Sequence, residues 1–180
     1  MALFLSGCST CVRTFTGTGV TVERGAQVAH GQDAIELEVT TYLGDDQIFV
    51  EGDVIYYLVS MNKDAYLMLI LNDADGNLIK LYPNTAFGRA FHHAGRYIQV
   101  PDPVHEGTLV VSSPFGAETL WAFASTEPFP ELNGEIQEAG LLILEEPIDV
   151  VREALYNHAV NVGSAYGEAN VYMRTISGAH

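Results

Sequence analysis

Apolar and polar positions alternate along much of this chain with a period of two. Ile35, Leu37 and Val39 take turns with Glu36, Glu38 and Thr40, which predicts a strand with one wet face. Residues 54–61 (VIYYLVSM) are β-branched, aromatic and apolar on both faces, the pattern of a central strand. Residues 65–71 form a second buried run. A polar loop at 72–77 then leads into the return strand Leu78–Tyr82, and together they predict a hairpin. Short strands follow around Tyr97–Gln99 and Leu109–Val111. Ala117–Ser125 predicts a longer one, with Leu120, Ala122 and Ala124 on one face and Trp121 and Phe123 on the other.

The period then changes. Residues 131–144 carry neither pattern. From Pro147 onward, Ile148, Val151, Leu155 and Ala159 fall at helical spacing, with Pro at the first turn and Gly163 as the stop. A last strand is predicted over 169–176. Many short strands with frequent turns and one late helix predict a mainly β fold, either an antiparallel β-sandwich or an open barrel with one C-terminal α-helix.

Composition narrows the partners more than the fold. The chain has 180 residues, is 48% hydrophobic and carries a formal charge of −15, from 23 acidic and 8 basic residues. Such a surface repels phosphate backbones, so nucleic acid is not an expected partner. No run approaches the roughly 20 apolar residues of a spanning helix. Membrane contact would therefore need an anchor of another kind.

The first residues, MALFLSGCSTC, offer one. Leu5-Ser6-Gly7-Cys8 resembles a bacterial lipobox, in which small residues admit the signal peptidase and the exposed Cys receives acyl chains. By that resemblance residues 1–8 are the remnant of a lipoprotein signal peptide, Cys8 is lipidated, and a start upstream of Met1 is expected because no basic segment precedes the apolar one. Ser9, standing where an Asp would retain such a protein at the inner membrane, implies the outer membrane. The alternative is a Cys8–Cys11 redox or metal pair, but residues 13–25 lack the helix such a motif opens. Residues 9–33 read as a Thr/Gly-rich flexible tether, and 34–180 as a single β-rich domain.

Residues 52–84 carry a second resemblance. Gly52-Asp53, Asp64-Ala65-Tyr66, Asp75-Gly76 and Tyr82-Pro83-Asn84 punctuate two apolar strands and their return strand in order. This resembles the DUF4384 family, an uncharacterised bacterial domain, over residues 35–130, with Ala117–Ser125 in the place of its closing strand. The helix and last strand, 147–177, are not assigned by it. The resemblance implies a secreted or lipid-linked β domain and brings no catalytic residues.

Few residues suggest chemistry. Asp73, Asp75 and Asn77 resemble the start of a calcium loop, though a tight hairpin turn explains the same residues. His92, His93 and His105, with Glu106, are candidate zinc ligands set against a reading as exposed loop histidines. His158 has no partner one helical turn away. No nucleophile elbow or nucleotide loop is present. Tyr66, Tyr82, Phe87, Phe91 and Trp121 could line a ligand groove or simply fill the core. No cofactor is expected. The expectation is a non-catalytic, lipid-anchored binding or scaffolding domain of the cell envelope, at the outer membrane, with another envelope protein as partner. The alternatives are an accessory subunit of a larger secretion or appendage complex, and a metal-dependent hydrolase built on the histidines.

Overall fold

The computed structural model describes residues 34–178 apart from 85, 106, 138 and 139. Cys8, Cys11, the tether and Glu106 lie outside the described residues. Thirteen strands and one helix follow in chain order: β1 (Leu37–Thr41), β2 (Gln47–Val50), β3 (Val54–Ile55), β4 (Tyr57–Met61), β5 (Ala65–Asn72), β6 (Leu78–Tyr82), β7 (Phe91–His92), β8 (Ile98–Val100), β9 (Leu109–Val110), β10 (Ala117–Ser125), β11 (Gly134–Ile136), β12 (Leu142–Leu144), α1 (Ile148–Val162) and β13 (Tyr166–Ile176).

A large sheet runs β11-β12-β6-β5-β10-β13-β2, and β7 pairs with the start of β5. It does not close into a barrel. A three-stranded sheet, β1-β4-β8, packs over one of its faces, and α1 lies on the other. The fold is thus mainly β: the two larger sheets are stacked, β3 and β9 form a separate two-stranded pair, and the helix makes an outer layer.

β10 shows why both layers are needed. Leu120, Ala122 and Ala124 face the small sheet, where they meet Val59, Val100 and Val171. Phe123 and Trp121 face the helix, with Met68, Ile70 and Leu155. The predicted division of this strand between two faces therefore holds residue by residue. Adjacent β13 follows the same logic: its first six residues are buried on both faces, and from Tyr172 onward alternate residues reach solvent.

The helix forms where its spacing predicts. Pro147, at φ −67°, precedes the first turn, and Asp149 complements the positive end of the helix dipole. Val151, Leu155 and Ala159 are its buried residues. Gly163 closes it at φ 69°, a left-handed conformation that suits glycine, and Ser164 N–H reaches back to the Ala159 carbonyl.

Three expectations change. Residues 54–61 are two strands, not one. The chain breaks at Tyr56, whose carbonyl accepts from Tyr42 N–H while its ring stacks on Tyr42 at 4.5 Å. β4 lies at the centre of the small sheet, so alternate residues stay half-exposed where burial on both faces was predicted. The sheet is not wholly antiparallel, because β2 pairs in parallel with β13. Residues 131–144 hold the short hairpin of β11 and β12.

Leu155 is fully buried between α1 and the large sheet. Leu155→Ala is expected to destabilise the fold by about 2–5 kcal/mol, the range for a core leucine truncation. Urea denaturation would show this as a lower midpoint at unchanged slope.

Candidate functional site

The helix covers only part of the large sheet's outer face. Toward β11 the covering passes to residues 128–132, and between that segment and the sheet lies a groove of about 620 Å³. Its floor is built by strand parity. Tyr66 and Met68 share a face of β5 with Ile70; Ile70 stands opposite Lys80 of β6, Lys80 opposite Leu142 of β12, and Leu142 opposite Ile136 of β11. Pro83, Ala90, Gly140 and residues 128–132 complete the lining. Pro128-Phe129-Pro130 is held down by Phe129 and Leu132, which pack against the helix-side core, and by a hydrogen bond between His158 Nε2 and the Pro128 carbonyl at 3.2 Å.

Among the described residues the lining carries two charged side chains, Lys80 and Glu131, and one hydroxyl, that of Tyr66; the rest is mostly apolar. Lys80 is half-buried, and burial holds its pKa below the ordinary lysine value. Among the described residues no hydrogen bond or ion pair is made by its ammonium. Arg152 of the helix, by contrast, is engaged. It donates to the buried Glu168 carboxylate at 2.7 Å and to Asp149 at 3.2 Å, and its guanidinium lies 4.5 Å from the Trp121 ring centre.

Of the five aromatic residues predicted to line a groove, Tyr66 does so and the other four do not. Phe91 packs edge-on against Tyr66 with centroids 5.2 Å apart, outside the lining. Alternation from Lys80 would put Tyr82 in the groove, but the pairing of β5 with β6 shifts between Leu69 and Ile70. That bulge turns Tyr82 into the core between the sheets. There its hydroxyl bonds the Arg89 carbonyl and His92 Nε2, the latter at 2.6 Å. Phe87 enters the same core because Asn84 Oδ1 accepts from the N–H groups of Ala86 and Phe87, curling the loop inward. Trp121 lies beneath Arg152, outside the groove lining. Its Nε1 and the Oδ1 atoms of Asn72 and Asn170, neighbours on one face, have no hydrogen-bond partner among the described residues.

The candidate metal ligands are not brought together. Asp73 Oδ1 accepts from the N–H groups of Asp75 and Asn77, and Oδ2 from Asn77 Nδ2, so this carboxylate organises the hairpin turn. Asp75 is exposed. His93 pairs with Asp64 at 2.9 Å on the surface, His92 joins Tyr82, and His105 is exposed in another loop. Burial keeps the His92 pKa low. Among the described residues, no three His, Cys, Asp or Glu side chains are placed to hold one ion.

The missed residues are Lys80 and the 128–142 segment. Lys80 had one signal, a lone cation on the same strand face as Leu78. In the sequence, Pro128-Phe129-Pro130 signals only the end of the strand before it.

Residues 48–128 match the family model described as Domain of unknown function (DUF4384). The match covers just under half of the chain. No curated protein and no solved structure matches it. The match ends after β10, so the groove joins Tyr66, Met68, Lys80, Pro83 and Ala90 inside it to Phe129–Leu132 and the β11–β12 hairpin beyond it.

A second carboxylate is enclosed without a groove. Glu118, buried on the small-sheet side of β10, accepts from the Thr175 hydroxyl at 2.6 Å. Burial raises its pKa, more than the Thr175 bond lowers it, and the nearby Asp73 charge adds to the rise. Because the folded value lies above the ordinary 4.5, this group's stabilising contribution is full below that pH and is lost as pH rises through the folded value. Glu118→Gln keeps an acceptor for Thr175 and removes the charge. Thermal unfolding from pH 4 to pH 7 is expected to show the variant gaining stability relative to the parent as pH rises.

Proposed function

We propose that this protein is a non-catalytic, lipid-anchored binding domain of the bacterial cell envelope, held at the outer membrane through Cys8, whose groove seats a segment of another envelope protein. The observation that carries the reading is the groove itself, an apolar trough assembled from four strands and a proline-rich wall. The lipobox-like Leu5-Ser6-Gly7-Cys8 supports the anchor. Among the described residues no helix is long and apolar enough to cross a membrane. The envelope location follows from Cys8.

A second surface favours membership of a larger complex. Beyond the helix, Tyr172 and Ile176 of β13 and Ile48 and Val50 of β2 are exposed on one face at the sheet's other edge. As an accessory subunit of an envelope secretion or appendage complex, this protein would dock through that face of its last strand while the groove holds a different chain.

Intact-mass analysis of protein from native membranes, parent against Cys8→Ala, tests the anchor. The parent is expected to carry an acyl increment, and the variant to lose both that mass and membrane association. A Cys8 with an unmodified thiol in a protein that stays out of the membrane fraction would overturn it. Ile136→Arg tests the groove. Ile136 is 77% exposed on the rim, so this change should leave the melting temperature unchanged and abolish retention of the partner.

A further inference from the structure

We infer that the groove takes an extended, apolar peptide segment bearing one carboxylate, and that Lys80 is the residue that receives it. This rests on the groove being the binding site and deepens that reading.

Three observations converge on the occupant. First, β11 ends the large sheet, and no described strand pairs with its outer edge. Unpaired strand edges are templates for an added strand, and a polypeptide can use their N–H and C=O groups where an acyl chain cannot. Ile136 belongs to both the edge strand and the groove lining, so the two features are continuous. Second, the groove is open along one side, and its rim is exposed. An extended peptide keeps alternate side chains wet and others buried, as a half-open trough requires.

Third, the charge on the ligand follows from what the lining offers. Pro83, Pro128 and Pro130 have no N–H to donate, and the other wall residues are mostly apolar. Among the described residues Lys80 is the only cation in the groove lining, and neither Glu131, which shares that lining, nor any other described carboxylate pairs with it. A partly desolvated, unpaired ammonium is unfavourable, and an arriving carboxylate relieves that cost. The lowered Lys80 pKa is consistent with this partial desolvation. The chain's −15 charge opposes polyacidic peptides, so one carboxylate within apolar sequence fits better than several.

A random heptapeptide pool with unblocked C-termini, selected on the full-length protein, tests the inference. Lys80→Met and Ile136→Arg run in parallel, with a thermal melt confirming that each variant is folded. The parent should enrich apolar peptides carrying one carboxylate, and Lys80→Met should weaken their binding about tenfold or more, the scale of one charged hydrogen bond. Binding should also raise the Lys80 pKa, read by NMR of the dimethylated lysine. Enriched peptides without carboxylate preference, bound equally by Lys80→Met but lost with Ile136→Arg, would sink the role of Lys80 and leave the groove standing. Equal enrichment by all three proteins, or none by the parent, would overturn both.

Discussion

The centre of the large sheet is apolar on both sides, and neither side is stable in water. Phe123 and Ile70 on one face and Leu120 and Leu69 on the other are fully buried, so each face needs a cover. At about 25 cal/mol per Å² of apolar surface, leaving either face open would forfeit more than a domain of this size has in hand. The small sheet covers one face. On the other, α1 lies over β5, β10 and the first half of β13, pinned by Arg152 to Glu168 and by Leu155 to the core. A helix of 15 residues is only about 22 Å long, too short to cover a sheet this wide. Residues 128–132 cover the next strip, and the groove is the gap their cover leaves above β6, β12 and β11.

The residues that carry the DUF4384 resemblance are mostly turn chemistry. Asp53 Oδ2 accepts from Val50 N–H at 2.7 Å, closing the turn that contains Gly52. Asp64 accepts from Ala94 N–H and pairs with His93, tying the β4–β5 turn to the β7–β8 loop; these bonds hold its carboxyl below the usual range. Gly76, at φ 87°, turns the hairpin that Asp73 braces. Asn84 curls the loop that delivers Phe87 to the core. Tyr66 differs, because its side chain lines the groove. The pattern therefore specifies a scaffold, and the far wall of the groove comes from sequence beyond the matched residues.

What was legible in the sequence was local. The two faces of β10, the hairpin at 72–77, the helix with its proline start and glycine stop, and the alternation at the end of β13 all follow from periodicity within one element. What was not legible depends on adjacency across the chain. The parallel pairing of β2 with β13 joins residues more than a hundred positions apart, and nothing near Ile48 announces it. The groove joins Tyr66 and Lys80 to residues 128–142, and no local signal says which strip of a sheet its neighbours fail to cover. The bulge that turns Tyr82 inward is a one-residue slip in pairing, which reverses the face of whatever follows. An aromatic residue can therefore move from groove to core with no change in the surrounding pattern.

Arg152 and Lys80, both on the helix side, stand in different relations to the fold. Arg152 is held by two carboxylates and an aromatic ring, and removing it would strand Glu168 as a buried unpaired charge. Its presence is explained by the fold alone. Lys80 has no such explanation. It sits between Ile70 and Leu142 in a row of apolar residues, half withdrawn from water, where methionine or leucine would pack as well without the desolvation cost. A residue that breaks a local rule without a structural return is a candidate for a functional role, and under the proposed reading Lys80 is that residue in this groove.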